Sequence, residues 1–388
     1  MVKVLHVYRT YFPDPPGGLQ EAIRQIARAT SVHGVESRVF TLSPQPDPAR
    51  LDLPDATVIR ARSWAAPASC DIGGFGAFRM FAKLTLWADI VHYHFPWPFA
   101  DLMHLAVRPT IPAVMTYHSD VVRQRLLSSV YAPLRNRMLR TMSRIVATSP
   151  AYARSSPVLS APSVCDKVNI IPLGIDLSSY PAASGVEVLH KLGLAESEPF
   201  FLFIGVLRYY KGLHTLIEAA RLVGTKIVIA GSGPELDRLQ ALAAAHRLSN
   251  VVFAHQVTEA EKVSLLERCT ALVLPSHLRS EAFGMVLVEA AMFGKPTISC
   301  EIGTGTSYVN LNGETGLVVS PEDPAALAHA MWQLAADMPL TTAFGLAARE
   351  RYSSHFSGEV MGRSYAKLYR EVMLPAAAGQ RSTIESRP

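Results

Sequence analysis

Short, unbroken apolar runs alternating with helical patterns recur in both halves of this chain, and few folds accommodate them. Residues 2–8 (VKVLHVY), 200–204 (FFLFI), 226–230 (KIVIA) and 271–274 (ALVL) are too short for helices and too apolar to keep a wet face. Strands buried on both faces, with helices between them, predict a parallel, doubly wound α/β sheet. Residues 37–42, 57–60, 90–94, 113–118, 144–148 and 251–254 read as further strands, and 19–33 as an amphipathic helix. A chain of 388 residues exceeds the ~250–300 that one core usually organises, so two such sheets are expected. At 49% hydrophobic, the composition can fill both cores.

Several function classes drop out early. No G-x-G-x-x-G follows the first strand, which argues against a dehydrogenase. Cys70, Cys165, Cys269 and Cys300 are widely spaced with no C-x-x-C, so they read as reduced, buried thiols of a cytoplasmic protein. The N-terminus enters a strand directly, which does not read as a signal peptide. No apolar run approaches the ~18 residues of a membrane span. Residues 1–170 hold 19 Lys and Arg against 11 Asp and Glu, whereas 171–388 hold 18 against 21. The front half is therefore the side expected to meet something anionic. No zinc-finger, helix-turn-helix or RNP pattern accompanies that charge, so nucleic acid is not expected.

The most informative stretch is 275–300, PSHLRSEAFGMVLVEAAMFGKPTISC. Residues 275–283 read as a loop and 284–293 as a helix, stopped by Gly294 and Pro296 and apolar almost all round, so buried. Glu281 and Glu289 flank the start of that helix with seven residues between them, on the order of 10 Å apart at about 1.5 Å of rise per residue. The free N–H groups between them attract phosphate. A ligand with hydroxyls at both ends and an anionic middle fits, and a nucleoside diphosphate sugar is one. The competing reading is a structural ion pair between Glu289 and a base such as Lys295. A ligand-free structure with Glu289 already locked to a neighbouring base would overturn the ligand reading. In LRYYKG, Lys211 stands at the mouth of a helix begun by Gly212, where a cation opposes the helix dipole. An anion held between Arg208 and Lys211 would explain it.

The run EAFGMVLVEA resembles the E-x7-E motif of retaining glycosyltransferases of the family 4 type, which have the GT-B fold of two Rossmann-like domains facing across a cleft. The resemblance covers nearly the whole chain. It implies that Glu281 contacts sugar hydroxyls and Glu289 ribose hydroxyls, with Phe283, Gly284, Met285 and Val286 at the diphosphate. It also implies that Arg208 and Lys211 clamp the diphosphate and that Gly17-Gly18 form a glycine-rich loop facing it. His118 would line the donor sugar, and backbone near Val257 would read the base. Many members carry glycine where this chain has His255. His92 and His94 share a strand face without a carboxylate at ligand spacing, and are taken as structural or acceptor-pocket residues. Phe95, Trp97 and Phe99 are taken as core or pocket wall.

The implied organisation is an acceptor-side domain over 1–172, a crossover at 173–184 and a nucleotide-sugar domain over 185–358. A last helix, 359–375, would pack back on the first domain, ahead of a disordered tail, 376–388. The implied activity is metal-independent transfer of a hexose, mannose or rhamnose first, from a nucleoside diphosphate sugar, GDP-linked first. The acceptor would be a hydroxyl of a lipid-linked glycan in O-antigen or exopolysaccharide synthesis. A nucleotide-sugar epimerase on the same fold and a silent sugar-nucleotide scaffold are the alternatives. Arg123, Arg125, Arg135, Arg137, Arg140 and Arg144 lack balancing acids and predict peripheral docking on the anionic inner face of the cytoplasmic membrane. Pro133 is expected to break that segment into two helices.

Overall fold

The computed structural model describes residues 1–14, 17–67, 70–120 and 125–374. In the front half, β1 (Val2–Val7), β2 (Val35–Ser43), β3 (Arg50–Asp52), β4 (Thr57–Ala65), β5 (Ile72–Gly73), β6 (Ile90–Phe95), β7 (Ala113–Tyr117), β8 (Arg144–Ala147) and β9 (Val168–Ile170) form one sheet. Its order is β3-β4-β2-β1-β6-β7-β8-β9, with β5 on β4. Pairing is parallel except where β3 and β5 meet β4. These two short strands were not expected; with two or three residues each, they carry no periodicity to detect.

In the back half, β10 (Phe200–Ile204), β11 (Lys226–Ala230), β12 (Val251–His255), β13 (Ala271–Leu274), β14 (Thr297–Cys300) and β15 (Gly316–Val319) form an all-parallel sheet. Its order is β12-β11-β10-β13-β14-β15. Phe201, Leu202 and Phe203 of β10 have no exposed surface, as expected of a strand covered on both faces.

Strand order reverses at β1 in the first sheet and at β10 in the second. In open α/β sheets, ligands bind beyond the carboxyl ends of strands at such switch points. The loops that leave β1, β7, β10 and β13 carry Gly17-Gly18, His118, Arg208 with Lys211, and Glu281 respectively.

The Gly358–Met373 helix lies against the Gly18–Ser31 helix of the front half. A Cβ at Gly362 would stand 2.1 Å from the Ala29 carbonyl oxygen, so glycine permits this approach. The Tyr369 hydroxyl bonds His92 Nδ1 at 2.8 Å and the Tyr365 hydroxyl bonds Thr116 Oγ1 at 2.9 Å, anchoring that helix beneath the first sheet.

Two expectations fail in the front half. Cys269 and Cys300 are buried as expected, but Cys70 is half-buried and Cys165 is exposed in the short surface turn Cys165–Lys167. Arg125–Thr141 is a single helix with Pro133 inside it, not two helices. Pro133 is exposed, and the helix continues through it. Arg123 lies outside the described residues, as does the tail 376–388.

Candidate active site

The back-half side of the site is assembled by one close backbone approach. Gly212 has φ +71°, and a Cβ there would stand 1.9 Å from the Pro275 carbonyl oxygen. Only glycine lets the Tyr209–Lys211 turn press against the loop after β13. The His277 amide donates to the Tyr210 carbonyl at 3.0 Å and ties the two segments together. As a result Lys211 Nζ donates to Glu281 Oε2, which also accepts from Ser276 Oγ at 3.3 Å. Burial alone would lower the pKa of Lys211; the Glu281 charge outweighs it, and the net shift is upward. Arg208, three residues earlier, is exposed and has no side-chain partner among the described residues. The two cations thus differ: Lys211 is held by an acid, while Arg208 is free to meet an anion.

The helix Met285–Met292 begins at Gly284, whose φ is +84°. No side chain caps it, so the first-turn N–H groups at Met285 and Val286 lack a side-chain acceptor. Phe283 is buried in the back-half core, and its neighbour Ala282 packs in the front-half cluster that contains Tyr117. The loop bearing Glu281 therefore reaches across to the strand that ends beside His118.

Glu289 is not free. Its Oε1 accepts from the Tyr180 hydroxyl at 2.5 Å and from Lys262 Nζ at 3.1 Å. This is the ligand-free ion pair set out above as overturning the ligand reading, formed by Lys262 and not by the expected Lys295; it leaves Glu289 no ligand role except through its other carboxylate oxygen. The sequence did carry a signal: Lys262 shares a helical face with Leu266 and Cys269, both buried, so a lysine there needs an internal partner. Both bonds fall on Oε1, and Oε2 takes part in neither. Burial raises the Tyr180 pKa and Glu289 raises it further, so the hydroxyl stays a donor.

The front-half side has a different character. His118 is buried, and its Nε2 lies 3.0 Å from His94 Nδ1; His94 Nε2 lies 3.1 Å from His6 Nδ1, and His6 Nε2 lies 3.4 Å from Ser37 Oγ. Burial lowers the pKa of His6 and His118 to about 3, so both are neutral at pH 7. In a chain of neutral imidazoles each ring donates at one nitrogen and accepts at the other. The tautomer of His118 is therefore coupled to those of His94 and His6, and its Nδ1 is the nitrogen outside the chain. His92 belongs to the same cluster, bonded to Tyr369 and Thr116. Trp97 and Phe99 are buried, Trp97 donates to the Asp71 carbonyl, and Phe95 stacks on Tyr117, so these aromatics are core.

Gly17 caps the Gly18–Ser31 helix without a side-chain bond, and a Cβ at Gly18 would meet nothing within 4 Å, so that backbone is open to a ligand. Val257 is half-buried against the back-half core in the loop after β12. His255 in that strand end has φ +52°, the left-handed conformation that glycine adopts most easily. The chain thus keeps the backbone course that a glycine would favour while presenting an imidazole.

Sequence reasoning missed Arg279. It lies 3.7 Å from Asp120, donates to Ser155 Oγ at 3.0 Å and to the Gly303 carbonyl at 2.8 Å. Asp120 and Ser155 belong to the front half, so Arg279 bridges the two sheets beside His118. Nothing in the spacing of RSEAFG distinguishes this arginine from an exposed one.

Comparison with known proteins supports the same site. Residues 187–351 match the group 1 glycosyl transferases, and residues 16–179 match glycosyltransferase family 4. The D-rhamnosyltransferase WbpZ of Pseudomonas aeruginosa is 44% identical over 92% of each chain. O-antigen chain mannosyltransferase C of Escherichia coli is 39% identical over 96% of this chain and 99% of its own. Among solved structures, sucrose-phosphate synthase from Thermosynechococcus elongatus superposes with a TM-score of 0.79 at 23% identity, covering 96% of this chain and 99% of that one. Two parallel sheets, their switch-point loops turned toward one another, and relatives of this closeness make the chain a GT-B glycosyltransferase of the family 4 type, in the group that includes O-antigen enzymes.

Proposed function

We propose that the protein is a retaining, metal-independent hexosyltransferase that moves mannose or rhamnose from a GDP-linked donor to a hydroxyl of a lipid-linked glycan. The observation that carries this reading is the free Arg208 beside the Lys211–Glu281 pair and the uncapped helix start at Gly284. Departure of a diphosphate develops negative charge, and preorganised cations and N–H groups stabilise it without reorganising. Arg208, Lys211 and the backbone of Met285, Val286, Gly17 and Gly18 are the groups for that task. With side chains in the charge-neutralising role, a metal has no necessary place in the step.

Glu281 has one oxygen on Lys211 and Ser276, and its other oxygen orients the sugar. His118 Nδ1 meets the sugar and phosphate from the opposite side. Glu289 keeps Oε2 for a ribose hydroxyl while Lys262 and Tyr180 hold Oε1. Backbone near Val257 contacts the base. The segment 173–184 acts as the hinge between acceptor domain and donor domain, and closure excludes water that would hydrolyse the donor.

The names of the two relatives above, a D-rhamnosyltransferase and a mannosyltransferase of O-antigen chains, support the choice of sugar and pathway. No described helix is long and apolar enough to cross a membrane, so contact with a lipid-linked acceptor is assigned to the basic face of Arg135, Arg137 and Arg140 at the inner face of the cytoplasmic membrane. Flotation with acidic liposomes that is unchanged when all three become Ser would remove that part of the account.

The test is incubation of the chelator-treated enzyme with GDP-mannose, GDP-rhamnose and UDP-hexoses plus a lipid-linked acceptor, with the new linkage assigned by NMR. The expected product keeps the anomeric configuration of a GDP-linked donor. An inverted product, activity restored only by added Mg2+ or Mn2+, or a preference for UDP-sugars would each contradict the proposal. An epimerised nucleotide sugar formed without acceptor would establish the epimerase instead.

A further inference from the structure

The imidazole of His277 has no part in the reading above, and its surroundings call for an explanation. It is 8% exposed, and neither Nδ1 nor Nε2 has a hydrogen-bond partner among the described residues. Whichever nitrogen carries the hydrogen, a buried donor and a buried acceptor are left unsatisfied, a condition native proteins seldom keep. The ring lies edge-on to His214 at 5.1 Å and to Tyr209 at 4.9 Å, while Tyr209 stacks on His214. Ligand atoms of His214, His277 and Glu322 all lie within 4.8 Å of one another. We propose that these three side chains bind a divalent cation of the zinc class, at a site separate from the donor contacts.

Two imidazoles and one carboxylate suit a borderline metal better than magnesium or calcium. Donors on a tetrahedral zinc stand about 3.4 Å apart for bonds of about 2.1 Å, so a modest movement closes the set. The half-buried His214 and the exposed Glu322 are free to supply it, around the fixed His277. Burial, the largest influence, lowers the pKa of His214 and disfavours a proton there; Arg238 acts in the same sense, and Glu322 and Glu235 act against it. The start of the Leu213–Ala220 helix also opposes a cation, through a dipole effect that is small beside metal–ligand bonding.

A second histidine group, His6, His92 and His94, meets the same distance criterion but differs in what its nitrogens do. Those are taken up by one another and by Ser37, Thr116, Tyr369 and His118, and among the described residues no carboxylate joins the group to offset a dication. Of these two groups, only that of His277 combines an orphan buried ring with an acid and a path to solvent. Bound there, a cation joins three segments: the helix that follows Lys211, the loop that precedes Glu281, and the turn before the Pro324–Ala336 helix. It fixes the frame of the donor clamp and takes no part in the transfer, so the proposal does not depend on the donor's identity.

The experiment titrates the full, tag-free chain with Co2+ after removal of bound metal, reading the visible ligand-field bands, and repeats it with Zn2+ as competitor. One equivalent is expected to bind wild type, with Zn2+ displacing Co2+ and raising Tm. His214→Ala and Glu322→Gln, both at positions open to solvent and expected to fold, should each weaken binding at least 100-fold and abolish the Zn2+-dependent rise in Tm. Absence of binding in wild type would overturn the proposal. So would unchanged affinity in both variants, which would place the metal elsewhere, the His6 group included.

Discussion

The two sides of the site solve the problem of burying polar groups in opposite ways. On the front half, His6, His94 and His118 are buried as neutral rings that satisfy one another. On the back half, Lys211 with Glu281 and Lys262 with Glu289 are buried as charged partners, and Arg208 is left exposed. The neutral side offers hydrogen bonds of fixed direction and little field; the charged side offers potential suited to an anion. In the proposed reading a sugar with a diphosphate uses both: His118 on the neutral side and Glu281 face the sugar, and the cations of the charged side face the diphosphate.

The largest effect that would break this division is at Lys211. Lys211→Ala should lower turnover at saturating donor by about 10²–10³-fold, as removal of one preorganised oxyanion donor does in other enzymes. Near-normal turnover would show that the charged side does not act on the leaving group. Glu281→Ala should lower turnover by a comparable or smaller factor. Because it leaves a buried ammonium unpaired, it should cost about 3–5 kcal/mol of stability as well. The double variant Lys211→Ala/Glu281→Ala should recover part of that stability without recovering turnover.

Acid tests the neutral side. His6 and His118 have folded pKa values of about 3, below the ordinary 6.5, so between these limits the unfolded chain binds protons that the folded chain does not. Stability is therefore fully present above pH 6.5 and falls as pH drops toward 3, by about 1.4 kcal/mol per pH unit for each such ring. Asp101 works in the opposite sense: burial pushes it up to about 7, so it favours the folded state as pH falls and offsets one histidine. Urea midpoints should decline from pH 7 to pH 5, and a flat profile would mean that the histidines are not buried neutral.

A smaller effect is expected at His94, which touches no donor in this account and positions His118. His94→Leu should lower kcat by about tenfold, close to 1.4 kcal/mol, with KM for donor little changed. It should also remove the dependence of the rate on His118 substitution. The smallest effect is at Arg279, a partly exposed bridge between the halves. Arg279→Ala should raise KM a few-fold, consistent with about 0.5–1 kcal/mol for such a pair, and leave Tm nearly unchanged.

Much of this molecule was legible in its sequence, for identifiable reasons. The strands Phe200–Ile204, Lys226–Ala230 and Ala271–Leu274 fall where unbroken apolar runs ended in glycine, proline or polar turns. The buried helix Met285–Met292 could be read because it is apolar all round. What escaped depends on partners distant in the chain. Lys262 meets Glu289 across 27 residues, Arg279 meets Ser155 across 124, and His92 meets Tyr369 across 277. The strand edges β3 and β5 and the continuous helix through Pro133 escaped because local preference was weak or overruled by exposure.

The most direct test is a crystal structure with an intact GDP-sugar bound. The diphosphate should lie within hydrogen-bonding distance of Arg208, Lys211 and the amides of Met285 and Val286, with His118 Nδ1 and Glu281 on the sugar. Pyrophosphate density away from those groups, or Glu289 still making only its bonds to Lys262 and Tyr180 with ribose elsewhere, would contradict the division of labour drawn here.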